Sequence, residues 1–285
     1  MPIIHSPFQP HPLLRNRHLQ TLYPWFFRRP LSLPMTCKRL ELPDGDFLDL
    51  ARLPKPHAPR VLILHGLEGN LNSHYASPLM QALHHNGYDV TFMHFRGCSG
   101  EHNRLPRRYH SGDTGDLAEV IRFLKQADPE SPITAIGFSL GGNVLLKYLG
   151  EQPRNNGLKA AIAVSVPFDL ADASATLQTG FAKVYQCHLL KQLVSAAREK
   201  FQGRTAPIDL TVLDRINTIH AFDDRVTAPL HGFKDAEEYY RLSSCRQYLK
   251  DIRLPTHIIH SRDDPFMTEA AIPQTRELSG SVTLE

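Results

Sequence analysis

Five short, unbroken apolar runs constrain this chain more than any other feature. The first is Arg60-Val61-Leu62-Ile63-Leu64, and others fall at 88–93, 133–136, 158–164 and 257–259. Such runs suit strands buried on both faces of a parallel sheet. Helical patterns lie between them. Leu117, Val120, Ile121 and Leu124 recur at i, i+3, i+4, i+7, with Asp113 or Thr114 placed to cap them. Val144, Leu145, Tyr148 and Leu149 form another stripe. Strands alternating with helices predict an α/β fold, a mostly parallel sheet with helices on both faces. Residues 40–51 alternate around Asp44-Gly45 and read as a hairpin. Residues 169–250 break the rhythm with helices expected over 181–201 and 234–252, a helical cap insertion that is either a lid or a further scaffold layer. The chain then divides into an arm (1–40), a first core half (41–168), the cap (169–250) and a second core half (251–285).

Composition narrows the class. The 285 residues are 41% hydrophobic and 21% charged, an ordinary globular balance, and the formal charge of +3 from scattered basic residues argues against nucleic acid as a partner. Cys37, Cys98, Cys187 and Cys245 are far apart and form no C-x-x-C, so reduced thiols in a cytoplasmic protein are expected. No apolar run approaches the roughly 18 residues of a membrane span, and the first residues lack a leader's apolar stretch. The arm is proline-rich and carries Tyr23, Trp25, Phe26 and Phe27, followed by Arg28 and Arg29. It reads as an extended segment packing its aromatics on the core, with peripheral membrane contact through Trp25, Phe26 and Phe27 as the other reading.

The chemistry converges on Gly137-Phe138-Ser139-Leu140-Gly141-Gly142, between the third apolar run and an apolar helical stripe. G-x-S-x-G on a strand-to-helix turn exposes a serine hydroxyl as a nucleophile, and flanking glycines leave room for the sharp turn. The bland reading of Ser139 is a helix N-cap. His65-Gly66-Leu67-Glu68-Gly69 follows the first run, and its loop is placed to offer the Leu67 N–H beside that of Leu140 as an oxyanion hole. His65 is expected to shape that loop. His260-Ser261-Arg262-Asp263-Asp264-Pro265 ends the fifth run, and an acid there fits the chain order Ser, acid, His. Asp264 is the preferred acid and Asp263 the alternative. A thiol nucleophile at Cys98 lacks the turn context, and His257-x-x-His260 on a strand sends its rings to opposite faces, away from a shared metal. Neither G-x-G-x-x-G nor a P-loop lysine is present, so no cofactor is expected.

These motifs resemble the α/β-hydrolase superfamily, and within it the bacterial YheT-like esterases. The likeness runs through Arg17-His18-Leu19-Gln20-Thr21, LELPDGDF at 40–47, HGLEG at 65–69, HFRGCSGE at 94–101, YHSG at 109–112, GFSLGG, FDD at 222–224, HGF at 231–233 and DDPFM at 263–267. It implies the α/β-hydrolase fold and serine hydrolysis of small or lipid-like carboxylic esters. A non-catalytic binding relative and an acyltransferase are the other functions that fit. The family pattern places its histidine in a glycine-rich loop after one more strand beyond the acid. No histidine follows Asp264 here, so a truncated final strand and helix, and weak activity of this 285-residue form, are expected. Of the 16 histidines, His94, His110, His220, His231 and His260 are the candidates for a rewired base.

Overall fold

The computed structural model describes residues 2–285. Eight strands form one sheet in the order β1-β2-β4-β3-β5-β6-β7-β8. β1 (Thr36–Glu41) and β2 (Phe47–Leu53) make the expected hairpin, whose turn needs Gly45 at φ +84°. β2 also runs antiparallel to β4 (Asp89–Met93). From there β4, β3 (Arg60–Leu64), β5 (Ile133–Phe138), β6 (Ala160–Val164), β7 (Thr256–Ile259) and β8 (Val282–Leu284) are parallel. The five apolar runs are therefore the sheet's centre, and every residue of β3 and β4 is buried. The strand expected to be cut short forms as β8. Its outer edge is closed by the other end of the chain: Ile4 N–H donates to Leu284 O (2.9 Å) and Leu284 N–H to Pro2 O (2.7 Å).

Alternation along β3 builds both halves of the core. Val61 and Ile63 pack with Met80 of α2 (Ala76–His85). Leu62 and Leu64 face the predicted stripes of α3 (Thr114–Ala127) and α4 (Leu140–Glu151). Asp113 stands at the N-cap of α3, yet its carboxylate pairs with Arg107 instead of capping the helix. α4 sits almost on the backbone after β3. A Cβ on Gly141 would lie 2.5 Å from the His65 carbonyl oxygen, and one on Gly137 would lie 2.5 Å from that of Gly141.

Between β6 and β7 come α5 (Leu170–Thr176), α6 (Ala182–Phe201), α7 (Ile219–Phe222), α8 (Ala228–His231) and α9 (Ala236–Ser243), with a π-helical turn over Asp223–Thr227. The single helix expected over 234–252 is broken. α9 stops at Ser243, Ser244 is extended, and a 3-10 segment Cys245–Asp251 follows. Asn143 of α4 is the reason. Its amide oxygen accepts the Cys245 N–H (2.9 Å), and its amide nitrogen donates to Ser243 O (2.8 Å) and Ser111 O (2.7 Å). These buried bonds repay the desolvation of Asn143 only in the broken geometry. A second tie crosses from α6. Lys200, buried, donates to Asn103 Oδ1 (2.7 Å), whose amide reaches Asp46, itself paired with Arg96. Burial lowers the Lys200 pKa to about 8.

The arm departs from the extended reading. Residues Arg17–Phe27 form helix α1, and Trp25, Phe26 and Phe27 are 52%, 63% and 70% exposed. Residues 36–40 already belong to β1. Among the described residues, no helix is long and apolar enough to cross a membrane.

The Gly141 contact is backbone on backbone and cannot relax by rotating a side chain. Gly141→Ala should lower stability by at least about 2 kcal/mol in a urea titration. Gly280→Ala, where a Cβ meets nothing within 4 Å, should leave the midpoint unchanged. Equal midpoints for the two variants would show that α4 does not rest on this loop.

Candidate active site

β5 ends and α4 begins without an intervening loop, and Ser139 alone absorbs the change of direction. Its φ is +49°, a conformation that costs a non-glycine residue about 1–3 kcal/mol. The turn is held by Ser139 N–H donating to Val164 O (2.8 Å) and Asn143 N–H to Ser139 O (3.0 Å). Ser139 makes no side-chain cap bond to the helix, contrary to the N-cap reading. The side chain is half-buried and lies against the loop after β3: a Cβ on Gly66 would be 3.3 Å from Ser139 Cβ and 3.8 Å from its Oγ.

That loop is fixed on both sides of Leu67. Gly66 N–H donates to the Tyr75 hydroxyl (3.2 Å) and Glu68 N–H to the Tyr109 hydroxyl (2.7 Å). Tyr109 in turn donates to the Glu68 carboxylate (2.7 Å), which pairs with buried Arg108 (3.0 Å). Glu68 takes φ +51°, a second strained position. Gly69 N–H is used within the loop, by Gly66 O (3.0 Å). Among the described residues, the Leu67 N–H is left without a protein acceptor between these bonded neighbours, and so is the Leu140 N–H at the start of α4. Unbonded N–H groups, above all one at a helix N-terminus, are the kind of donor that can hold a developing oxyanion. The Leu67 side chain packs against both the central core and the cap cluster around Leu190, so the cap braces this loop.

His65 is built into the scaffold. Its Nε2 accepts the Phe95 N–H (3.1 Å), so Nδ1 carries the proton and donates to Gly66 O (2.7 Å). Complete burial lowers its pKa to about 3 and keeps it neutral. Tyr75, Tyr109 and Arg108 did not stand out in the sequence. A single hydroxyl or guanidinium bonding to a distant loop has no periodicity, and the only available hint was the inclusion of Tyr109 in YHSG.

The two aspartates after β7 have different surroundings. Asp263 is exposed and accepts the Ser261 hydroxyl (2.5 Å). Asp264 is buried, accepts the Phe266 N–H (2.9 Å), and has no paired cation; burial raises its pKa to about 6. Four of the five candidate histidines are occupied elsewhere. His94 bonds Cys98 O, His110 accepts the Gly112 N–H, His220 pairs with Glu237 and His231 bonds Thr227 O. His260 is buried against Phe168 with neither ring nitrogen hydrogen-bonded, and burial lowers its pKa to about 4. None of the five is hydrogen-bonded to Ser139. Cys98 is buried and its thiol pushed up to about 12, which leaves no thiolate at neutral pH. Two clefts of about 580 and 750 Å³ open beside the cap, and neither is lined by Ser139, Leu67, Leu140 or Asp264.

The raised pKa of Asp264 has a definite sign. The folded state holds this proton up to about pH 6, the unfolded chain only to about 3.8, so stability falls as pH rises between those values. Asp264→Asn should gain up to about 3 kcal/mol over the parent above pH 6, at roughly 1.4 kcal/mol per unit, and lose that gain below pH 4. Urea midpoints at pH 4 and pH 8 read this directly. A variant no more stable than its parent at pH 8 would place Asp264 in a solvated or ion-paired setting.

A family model described as alpha/beta hydrolase fold matches residues 59–285. A protein of Escherichia coli (strain K12) named "Putative esterase YheT" is 44% identical over 273 residues, covering 94% of this chain and 80% of that protein. Phospholipase ABHD3 of Bos taurus is 30% identical over 228 residues, covering 79% of this chain and 56% of the relative. The chain thus spans most of the bacterial relative and little more than half of the bovine one. The solved structure of the Pyrococcus furiosus esterase Pf2001 shares the fold with a TM-score of 0.60 at 20% identity, over 89% of this chain and 82% of that one. With the strand order and the Ser139 turn, these likenesses lead to one conclusion: the chain belongs to the α/β-hydrolase fold family, in its YheT-like esterase branch.

Proposed function

We propose that the protein is a serine carboxylesterase that acts on small or lipid-like esters through an acyl-enzyme on Ser139. The observation that supports this reading is the strained turn at Ser139 against the Gly66 loop, with the Leu67 and Leu140 N–H groups unbonded among the described residues. In the forward step a histidine takes the Ser139 proton as Oγ bonds to the ester carbonyl carbon. The oxygen becomes an anion held by the two N–H groups, and collapse of the adduct expels the alcohol with the proton from the imidazolium. Water then repeats the sequence and releases the acid. In the family pattern the histidine follows the strand after the acid. No histidine lies between Asp264 and Glu285, and because β7 and β8 are parallel neighbours, a residue that followed β8 would emerge at the same end of the sheet as Asp264. The buried Asp264 carboxylate, raised to about 6 without a cation beside it, would return to its ionised range on pairing with an imidazolium. The unpaired cysteines, two of them exposed, support a reducing cytoplasm.

The native protein from its source should label with a fluorophosphonate on Ser139, and Ser139→Ala should abolish labelling. A folded parent that does not label would favour a binding protein. Tyr109→Phe leaves the Glu68 N–H without its acceptor. It should lower kcat on a p-nitrophenyl ester on the order of tenfold to a hundredfold with KM little changed. An unchanged kcat would remove Tyr109 from the positioning of the loop.

A further inference from the structure

Helix α1 is apolar on two sides. His18 and Leu22, four residues apart, face α6: His18 Nδ1 lies 3.1 Å from the Tyr185 hydroxyl, and Leu22 packs with Leu177, Ala182 and Tyr185. Trp25, three residues on, meets His188 edge-on at 5.4 Å. That side anchors the helix. Leu19, Tyr23, Phe26 and Phe27 make a second stripe, 46–70% exposed, and Phe181 at the start of α6, which meets His18 at 4.5 Å, and Val184 are exposed as well. Isolated exposed apolar residues are ordinary, whereas a contiguous aromatic patch on a helix requires a partner.

Charge identifies the partner. Residues 1–40 contain six basic residues and no acidic one, whereas the whole chain is only +3, so the remaining 245 residues sum to −3. Arg15, Arg17, Arg28 and Arg29 bracket the aromatic stripe at the two ends of α1, and all four are exposed. A short helix with aromatics on its free side and arginines at its ends matches an anionic bilayer interface, where rings settle at headgroup depth and guanidinium groups meet phosphates. A protein partner would need acidic groups arranged around an apolar groove, and nothing in this arm distinguishes such a groove from a flat charged surface. A second copy of this chain would set arginine against arginine.

We propose that α1 and the first turns of α6 form a surface that docks on anionic phospholipid membranes. Docking would also place the lipid close to the candidate acid. Tyr185, against which α1 rests, stacks on Phe266 at 4.9 Å, and the Phe266 N–H bonds Asp264. The surface does not depend on Ser139, so it holds or fails apart from the esterase reading.

Trp25 is the sole tryptophan; it is half exposed and borders the stripe, meeting Phe26 at 4.6 Å, which gives a direct measurement. Vesicles of phosphatidylglycerol mixed with phosphatidylcholine should shift its emission to the blue and pellet the protein. Bromine on the acyl chains should quench the emission, and high salt should weaken binding. Phe26→Ser/Phe27→Ser and Arg28→Glu/Arg29→Glu should each lower the apparent partition at least tenfold with circular dichroism unchanged. Ser139→Ala should bind like the parent. Unshifted emission with the protein left in the supernatant would overturn the proposal. Equal binding to pure phosphatidylcholine would overturn its anionic part. A blue shift that follows protein concentration without vesicles would assign the surface to self-association.

Discussion

The close packing of the first turn of α4 against the segment that follows β3 sets the geometry of everything near Ser139. Only Gly141 lets the helix descend onto the His65 carbonyl, and only Gly137 lets the strand turn beneath it. Three consequences meet there. The helix N-terminus arrives beside the Gly66–Glu68 loop, Ser139 takes a positive φ, and the Leu67 and Leu140 N–H groups are both left without a protein acceptor among the described residues. None of these residues could be placed independently. Interiors are close-packed, so a methyl group at this crossing shifts a whole element and cannot be absorbed by one rotamer.

Around that crossing the structure uses buried polar groups as fasteners. Asn143 joins α4 to the YHSG loop and to the break after α9. Lys200 joins the cap to the β1–β2 turn through Asn103 and Asp46. Each is buried and satisfied, and each would be costly if one partner moved. The cap is therefore tied to the core by specific bonds as well as by apolar contact. That suits a layer bracing the Leu67 loop better than a flap swinging free of it.

The legible parts were those with a local cause. Strands buried on both faces appear as apolar runs, so β3 to β7 could be placed to within two residues, and the glycine spacing marked the turn at Ser139. Parts with a distant cause were not legible. The periodicity of 234–252 continues past Ser243, and only the reach of Asn143 from a helix about a hundred residues earlier breaks it. Pro24 and the neighbouring prolines argued for an extended arm, whereas Asn16 caps α1 with its side chain and the helix rests on α6. Tyr75 and Tyr109 are spaced by nothing in the chain. They matter because their hydroxyls take the two N–H groups, of Gly66 and Glu68, on either side of Leu67.

Those two hydroxyls also bear on how the site responds to solution conditions. Burial raises the Tyr75 pKa to about 12 and holds that of Tyr109 well above its ordinary value, while His65 beneath the loop stays neutral down to about pH 3. Neither tyrosine hydroxyl that holds the loop, nor His65 beneath it, changes protonation across the range a cell experiences. The loop is a fixed electrostatic fixture. Acid and alkaline limbs in a pH profile would report groups outside these three, and not a loosening of the hydroxyls and ring that frame the loop.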